Sequence, residues 1–331
     1  MTTYKGIQGF TIQNLSADPS NPIEGQVWYN STSNVWKVEE ATTAGSWATG
    51  NNMNTARASL AVAGTQTAAL AAGGYYPPAV TGVTEEYDGN SWTNSNPLNT
   101  TRTALAGCGT QTAGLAFGGY TGTAPTGATE EYDGNSWASN PTGLNTARFE
   151  FAGCGTQTAG LAFGGYPPIT AATEEYNGST WTSSPPGLNT ARRQLAGAGI
   201  QTAALAFGGT TTAPASPGIT GATEEYNGAT WTSNPTGLNT ARYVLGGAGT
   251  QTAALAFGGF GTANTGATEE YDGTSWATNP VSMNTARNAL GGAGSQTAGL
   301  AFGGEADPGY SAATEEWTGA GAAVTKTITV S

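Results

Sequence analysis

The sequence predicts an all-β fold built from a repeated unit of short antiparallel strands. An Asn-Thr-x-Arg motif recurs six times at intervals of 44–50 residues. Each copy is followed by several short segments, which are separated from one another by turns that contain glycine. No segment has the 3.6-residue apolar period of an amphipathic helix. These observations together exclude a helical solenoid.

Each repeat is expected to contain four strands. The first begins at the arginine, and the spacing of Arg102 and Leu105 places them on opposite faces of the sheet. The second strand carries Leu115 and Phe117 on one face and ends at Gly-Gly. The third is Thr-Glu-Glu-aromatic, and the fourth starts at a tryptophan after an Asp-Gly or Asn-Gly turn. Four strands every ~45 residues predict a β-propeller.

The sixth repeat has no tryptophan after Trp317, whereas Trp47 precedes Arg57 by the ten residues that separate Trp92 from Arg102. We therefore predict that the Trp47 strand completes the sixth blade and joins the two ends of a six-bladed ring. The structural residues of the repeats are then Arg57, Arg102, Arg148, Arg192, Arg242 and Arg287, with Trp47, Trp92, Trp137, Trp181, Trp231 and Trp276.

A seven-bladed propeller is the alternative. Its extra blade would combine residues 26–30, residues 35–40, the Trp47 strand and residues 323–330. The predicted domains are an adaptor over residues 1–46 and a propeller over residues 47–331.

The order of arginine, Gly-Gly, Glu-x-Tyr-Asp and tryptophan resembles the kelch repeat over roughly residues 47–317. This resemblance implies a kelch-like β-propeller, but kelch propellers serve many unrelated roles.

Two interpretations of the six arginines are possible. They could form a positive ring that binds an anion, or each could pair inside its blade with a glutamate of the third strand, as Arg102 could with Glu130 or Glu131. Sixfold repetition favours the structural interpretation. The adjacent glutamates point to opposite faces, so they cannot act as paired catalytic carboxylates.

Composition excludes several classes of site. The chain has no histidine, only two cysteines, three lysines and a net charge of −12. A Ser-His-Asp triad, a histidine-ligated metal and a basic nucleic-acid groove are therefore ruled out. No segment predicts a membrane-spanning helix. We expect no catalytic residues, no cofactor and no metal, and no nucleic-acid partner.

Two smaller motifs have structural interpretations. The Asp-Gly turns could ligate calcium, but asparagine replaces the aspartate in two repeats, which favours a role in turn geometry. Cys108 and Cys154 stand where other repeats have alanine, which predicts packed thiols.

The segment Pro-x-x-Gly-Gln-x-Trp-Tyr-Asn-Ser-Thr over residues 22–32, continued by residues 35–38, predicts a β-hairpin. It resembles N-terminal segments of tailed-phage virion proteins, particularly fibre and appendage proteins, and the repeats are similar in style to those of marine-phage structural proteins. The resemblance implies a virion location after assembly in the host cytoplasm, and other virion proteins as partners of the N-terminal segment. We also expect an oligomer.

The segments between the second and third strands vary in length and chemistry, and six of their aromatic residues are candidate ligand contacts: Tyr75, Tyr76, Tyr120, Tyr166, Phe260 and Tyr310. We expect a non-enzymatic virion protein that adheres to a host-surface glycan or protein through these loops. The alternative is a purely architectural capsid or tail decoration that stabilises the particle and binds no host ligand.

Overall fold

The computed structural model describes residues 13–19, 26–41, 45–320 and 323–328. The secondary structure of these residues is all β. Within the same ranges, no helix is long and apolar enough to cross a membrane. The chain divides into two compact units: Met1–Gly45 with Gly319–Ser331, and Ser46–Thr318. The boundary predicted at residue 46 stays a prediction, and this division assigns the residues from Gly319 onward to the first unit.

The larger unit contains six four-stranded antiparallel sheets, an arrangement consistent with a propeller. Sheet 1 consists of β5 (Ala61–Thr65), β6 (Ala68–Ala72), β9 (Thr84–Tyr87) and β10 (Trp92–Ser95). Sheet 2 consists of β11 (Ala106–Thr110), β12 (Ala113–Phe117), β13 (Thr129–Tyr132) and β14 (Trp137–Asn140). Sheet 3 consists of β15 (Ala152–Thr156), β16 (Ala159–Phe163), β17 (Thr173–Tyr176) and β18 (Trp181–Ser183).

The remaining three sheets repeat this order. Sheet 4 consists of β19 (Ala196–Ile200), β20 (Ala203–Phe207), β21 (Thr223–Tyr226) and β22 (Trp231–Asn234). Sheet 5 consists of β23 (Gly246–Gly249), β24 (Ala254–Phe257), β25 (Thr268–Tyr271) and β26 (Trp276–Asn279). Sheet 6 consists of β27 (Gly291–Gly294), β28 (Ala298–Phe302), β31 (Thr314–Thr318) and β4 (Ser46–Gly50). Two small hairpins pair β7 (Tyr75–Tyr76) with β8 (Ala79–Val80), and β29 (Glu305–Ala306) with β30 (Gly309–Tyr310).

The strand that contains Trp47 pairs antiparallel with β31, so that Trp47 lies opposite Trp317. This pairing confirms the prediction that the Trp47 strand supplies the fourth strand of the sixth repeat. The alternative, in which that strand joins the terminal segments, is wrong on this point.

The start of the first strand was predicted wrongly. In sheet 2 the strand begins at Ala106, four residues after Arg102, and Arg102 and Leu105 are both buried rather than placed on opposite faces of a strand. The physical reason is the intervening Ala104, whose φ of 51° is left-handed and cannot continue an extended strand. The same conformation occurs two residues after every repeat arginine, at Ser59, Ala104, Glu150, Gln194, Val244 and Ala289.

The apolar core lies between consecutive sheets. One cluster joins Leu70 of sheet 1 to Trp137 of sheet 2, and another joins Phe302 of sheet 6 to Trp92 of sheet 1. The first strands of neighbouring sheets approach closely because they are rich in glycine. A methyl group added at Gly107 of β11 would lie 2.8 Å from the carbonyl oxygen of Val62 in β5. The cluster that joins Phe302 to Trp92 shows that sheets 6 and 1 pack together as consecutive sheets do.

Six backbone hydrogen bonds connect the left-handed residues of successive repeats. The N–H of Ala104 donates to the carbonyl oxygen of Ser59 at 2.8 Å, and each following repeat donates to its predecessor. The N–H of Ser59 in turn donates to the carbonyl oxygen of Ala289, also at 2.8 Å. This series of bonds returns to its starting residue after six steps.

The smaller unit contains one four-stranded sheet in the order β1 (Gln13–Leu15), β2 (Val27–Asn30), β3 (Val35–Ala41) and β32 (Ala323–Ile328). Strands β2 and β3 form the predicted hairpin, and Asp18 accepts hydrogen bonds from Trp28 Nε1 and Asn30 Nδ2. Residues 1–12, 20–25, 42–44 and 329–330, which the adaptor and terminal-strand predictions include, lie outside the described residues.

The left-handed position in the fifth repeat yields a test. Val244 is β-branched with a φ of 47°, a conformation that asparagine adopts at lower cost. Val244→Asn should therefore raise the free energy of unfolding by about 1 kcal/mol in chemical denaturation. The control is Val62→Asn, at an extended position in β5, which should lower it. Equal losses in both variants would show that no strain is stored at Val244.

Candidate functional site

Each repeat arginine is buried and paired with the first glutamate of its own Thr-Glu-Glu segment. Arg102 Nη2 lies 3.0 Å from Glu130 Oε1, and both side chains are at most 1% exposed. The other pairs are Arg57–Glu85, Arg148–Glu174, Arg192–Glu224, Arg242–Glu269 and Arg287–Glu315. The six arginines therefore form no exposed positive ring, in agreement with the structural interpretation.

The arginine–glutamate pair also makes hydrogen bonds to backbone groups. Arg102 donates to the carbonyl oxygens of Gly118 and Ala116 at the end of β12, while the Glu130 carboxylate accepts from the N–H groups of Asn99 and Thr100. Burial lowers the pKa of Arg102 to about 10, against the opposing effect of the Glu130 carboxylate. The guanidinium remains charged at neutral pH. Together with Glu130, it holds the Asn-Thr turn at the start of the repeat against the second and third strands.

In five of the six repeats, the second glutamate bonds to a neighbouring sheet; the exception is Glu270, which accepts from Asn279 of its own sheet. Glu86 accepts a hydrogen bond from the hydroxyl of Tyr132, the third-strand tyrosine of the next repeat. Burial, followed by the bond to Glu86, raises the pKa of Tyr132 to about 12. The same contact joins Tyr87–Glu316, Tyr176–Glu131, Tyr226–Glu175 and Tyr271–Glu225. The two glutamates thus have separate structural partners, as their opposite orientations predict.

The repeat tryptophans make a second contact between sheets. Trp137 Nε1 donates to Thr84 Oγ1 of sheet 1 at 3.0 Å, and Trp47 Nε1 donates to Thr268 Oγ1 of sheet 5 at 2.9 Å. Trp92, Trp181, Trp231 and Trp276 make the equivalent bond to the preceding sheet.

Sequence reasoning missed a third contact between sheets. Gln111, in the turn between β11 and β12, donates from Nε2 to the carbonyl oxygens of Ala69 and Tyr87 in sheet 1. Gln66, Gln157, Gln201, Gln251 and Gln296 repeat this bond pair. The invariance of Gln-Thr-Ala across the repeats was the available signal, but its partners lie on another sheet.

In five repeats, the turn between the third and fourth strands meets the turn between the first and second strands at one end of the sheet, as Gly89 of the β9–β10 turn lies against Thr67 of the β5–β6 turn. We call this end the constant face. Asp88 Oδ1 accepts from the N–H groups of Ser91 and Asn90, which lowers the pKa of Asp88. Asn177 accepts the same two bonds in its repeat, which supports the turn interpretation over calcium binding. Among the described residues, no three His, Cys, Asp or Glu side chains cluster as a metal site.

Cys108 and Cys154 are buried at equivalent positions of sheets 2 and 3. Burial raises the pKa of the Cys154 thiol to about 12, so it is a protonated packing group at neutral pH.

The opposite end, which we call the variable face, carries residues 75–83, 120–128, 166–172, 210–222, 260–267 and 305–313. The first residue of each segment bridges to the residue after the repeat arginine, as Tyr75 does to Ala58 and Phe260 does to Tyr243. These bridges hold four of the six candidate aromatic residues close to the sheets: Tyr75, Tyr120, Tyr166 and Phe260. Tyr76, by contrast, projects outward and is 52% exposed.

The other five candidate aromatic residues are half-buried and fall into three groups. Tyr120 and Tyr166 lie on either side of Phe149, with ring centroids 5.3 and 5.5 Å from it. Tyr75 and Tyr310, from the first and sixth repeats, lie 5.6 Å apart. Phe260 packs against Tyr243 at 5.7 Å. The structure therefore brings all six to the variable face but does not join them in one cluster.

The acidic residues that break the repeat pattern are on the same face. Glu150 accepts hydrogen bonds from Arg193 and Gln194, and the Arg193 guanidinium lies over the Tyr166 ring at 5.3 Å. Glu305 and Asp307 lie apart from this group, beside an open cleft of about 840 Å³ between the loops of the fifth and sixth repeats.

No family model and no curated protein matches this sequence.

The buried ion pair can be compared with a partly exposed one. Arg102→Met leaves Glu130 buried without its cation and should lower the free energy of unfolding by about 3–5 kcal/mol. The control is Arg193→Met, whose pair with Glu150 is partly exposed and should contribute about 1 kcal/mol or less. Urea denaturation of both variants measures the difference, and similar losses would contradict the structural role of the repeat arginines.

The tyrosines that bond between sheets predict alkaline sensitivity. Since the folded-state pKa of Tyr132 lies near 12, above its ordinary value of 10, its stabilisation is complete below pH 10 and is lost as the pH rises through about 12. Phenolate absorbance and denaturation curves between pH 9 and 12 should show tyrosine ionisation together with unfolding. Tyr132→Phe should reduce the steepness of this loss, whereas Tyr76→Phe should not. Ionisation of every tyrosine near pH 10 without unfolding would contradict the assignment.

Proposed function

We propose that this chain is a non-enzymatic virion structural protein of the fibre or appendage type, built on a six-bladed kelch-like β-propeller that binds a host surface through its variable face. The observation that carries the proposal is the contrast between the two faces. One is made of nearly identical turns, and the other of six different loops, five of which bear aromatic side chains.

Three sixfold networks support the closed six-bladed arrangement. Sheet 6 is connected to sheet 1 by the backbone bonds between left-handed residues, by the glutamine contacts and by the tryptophan–threonine bonds. Each of these contacts has equivalent partners and the same geometry as between the other neighbouring sheets. A kelch-like arrangement is further supported by the position of the arginine, the glycine pair and the tryptophan in each sheet.

The distribution of polar chemistry supports binding over catalysis. The buried arginines, glutamates and tyrosines all contact structural partners in five or six equivalent copies, and a catalytic centre would require a unique constellation. Hydroxyl, amide and aromatic groups on rigid loops instead suit recognition of a glycan or protein surface. Many copies on one particle would convert weak single-site binding into strong adhesion.

The terminal sheet supports an attachment role for the N-terminal segment. It forms a compact unit distinct from the repeats, and its Asp18 also pairs with Lys37, an ion pair absent from the repeat pattern. The phage-like signature over residues 22–32 belongs to this unit. We propose that it contacts other virion proteins, in an oligomer on a particle assembled in the host cytoplasm.

The adhesion proposal is tested with the purified full-length protein. Combined substitution of Tyr76 and Tyr120 by serine should reduce binding to intact host cells and to a glycan array at least tenfold, because both alter the variable face. The control replaces Thr67 and Thr112 by serine on the constant face and should bind as the wild type does.

Two outcomes distinguish the alternatives. Absence of wild-type binding, combined with particles that lose stability when the protein is deleted, would favour the purely architectural decoration. Absence of the protein from purified particles, judged by antibody-labelled electron microscopy, would overturn the virion assignment.

A further inference from the structure

The cleft between the loops of the fifth and sixth repeats has the chemistry of a ligand site. Its walls include Phe260 and Tyr310, and its polar lining includes Asn264, Asn288 and Asp307. We propose that this cleft binds a neutral oligosaccharide and is the specificity site of the adhesion surface; the inference rests on the proposed binding function.

The walls of the cleft are held in place before any ligand binds. Phe260 is bridged to Tyr243 on one side and to Asn264 on the other. Tyr310 pairs across a short hairpin with Glu305 and packs against Tyr75 on the next loop. Because these contacts fix both aromatic rings, little ordering entropy is lost when a sugar packs against them.

Two asparagines that line the cleft offer directional hydrogen bonds. Asn288 Nδ2 donates to Asn264 Oδ1 at 2.6 Å, across the junction between the two loops. Among the described residues, Asn264 Nδ2 and Asn288 Oδ1 have no partner. One free donor and one free acceptor side by side suit the hydroxyl groups of a sugar, each of which both donates and accepts.

Charge selects among saccharides. Glu305 and Asp307 line the cleft, and no arginine or lysine among the described residues does. A sugar that carries a carboxylate, sulfate or phosphate would be repelled, whereas adjacent hydroxyls of a neutral sugar can donate to a carboxylate. The volume of about 840 Å³ falls within the roughly 300–1,000 Å³ of small-molecule sites.

Other junctions on the variable face are filled by side chains. Tyr120 packs on Phe149 between the second and third repeats, and the Arg193 guanidinium covers Tyr166 between the third and fourth. Tyr75 and Tyr310 close the junction between the sixth and first repeats. Between the fifth and sixth repeats, Asn264 and Asn288 bond to each other beside a cleft that remains open.

The test uses the full-length protein on an array of neutral and acidic oligosaccharides, followed by titration calorimetry with the best neutral binder. Asp307→Asn and Asn264→Ala should each weaken binding at least tenfold without changing thermal stability. The matched control for the first is Asp133→Asn on the constant face, where other repeats already carry asparagine, and it should bind as the wild type does.

The outcomes separate this inference from the adhesion proposal. Neutral-sugar binding that is lost in both cleft variants and retained in the control supports the inference. If the cleft variants keep their affinity and Tyr166→Ser loses binding, the ligand binds elsewhere on the variable face. That result supports adhesion and contradicts the assignment of the cleft. Preference for acidic sugars overturns the charge argument, and absence of both saccharide and host-cell binding overturns the adhesion proposal itself.

Discussion

The buried pair between each repeat arginine and its glutamate is the interaction on which the rest of the repeat depends. In the second repeat, Arg102 connects the end of β12 to Glu130 on β13, and Glu130 binds the N–H groups of the leading Asn-Thr turn. One ion pair therefore fixes three segments of backbone. Because both charges are removed from water, much of their attraction offsets desolvation, and the pair contributes geometry more than net stability.

The path of the chain between sheets follows from that pair. The Arg102 side chain is buried, and the first strand begins only at Ala106. The left-handed residue Ala104 lies between them and interrupts the extended conformation. Its N–H then reaches the equivalent residue of the preceding repeat. Repetition of this step brings the sixth repeat into contact with the first. Each sheet consequently depends on both neighbours, as the shared apolar clusters also indicate.

Regular sequence signals predicted the second, third and fourth strands, the pairing of each arginine with a third-strand glutamate (but not which of the two), and the pairing of Trp47 with the sixth repeat. The start of the first strand escaped prediction because residues such as Ala104 and Val244 carry no signature of a left-handed conformation. The glutamine contacts escaped because their acceptors are backbone carbonyls, which any sequence provides. The cleft beside Phe260 escaped because it depends on how loops of different repeats pack, which repeat spacing does not encode.

Unusual electrostatics do not mark the proposed binding site in this chain. The lowered pKa of Arg102 and the raised pKa of Tyr132 belong to contacts that recur in most repeats, so they describe the scaffold. Under the proposed binding function, specificity arises where the repeats differ. At one such place an aromatic ring is already covered, since Arg193 lies over Tyr166. Beside Phe260 the space between the loops is open. The proposed ligand would pack against the Phe260 ring in that space, as the Arg193 guanidinium packs against the Tyr166 ring.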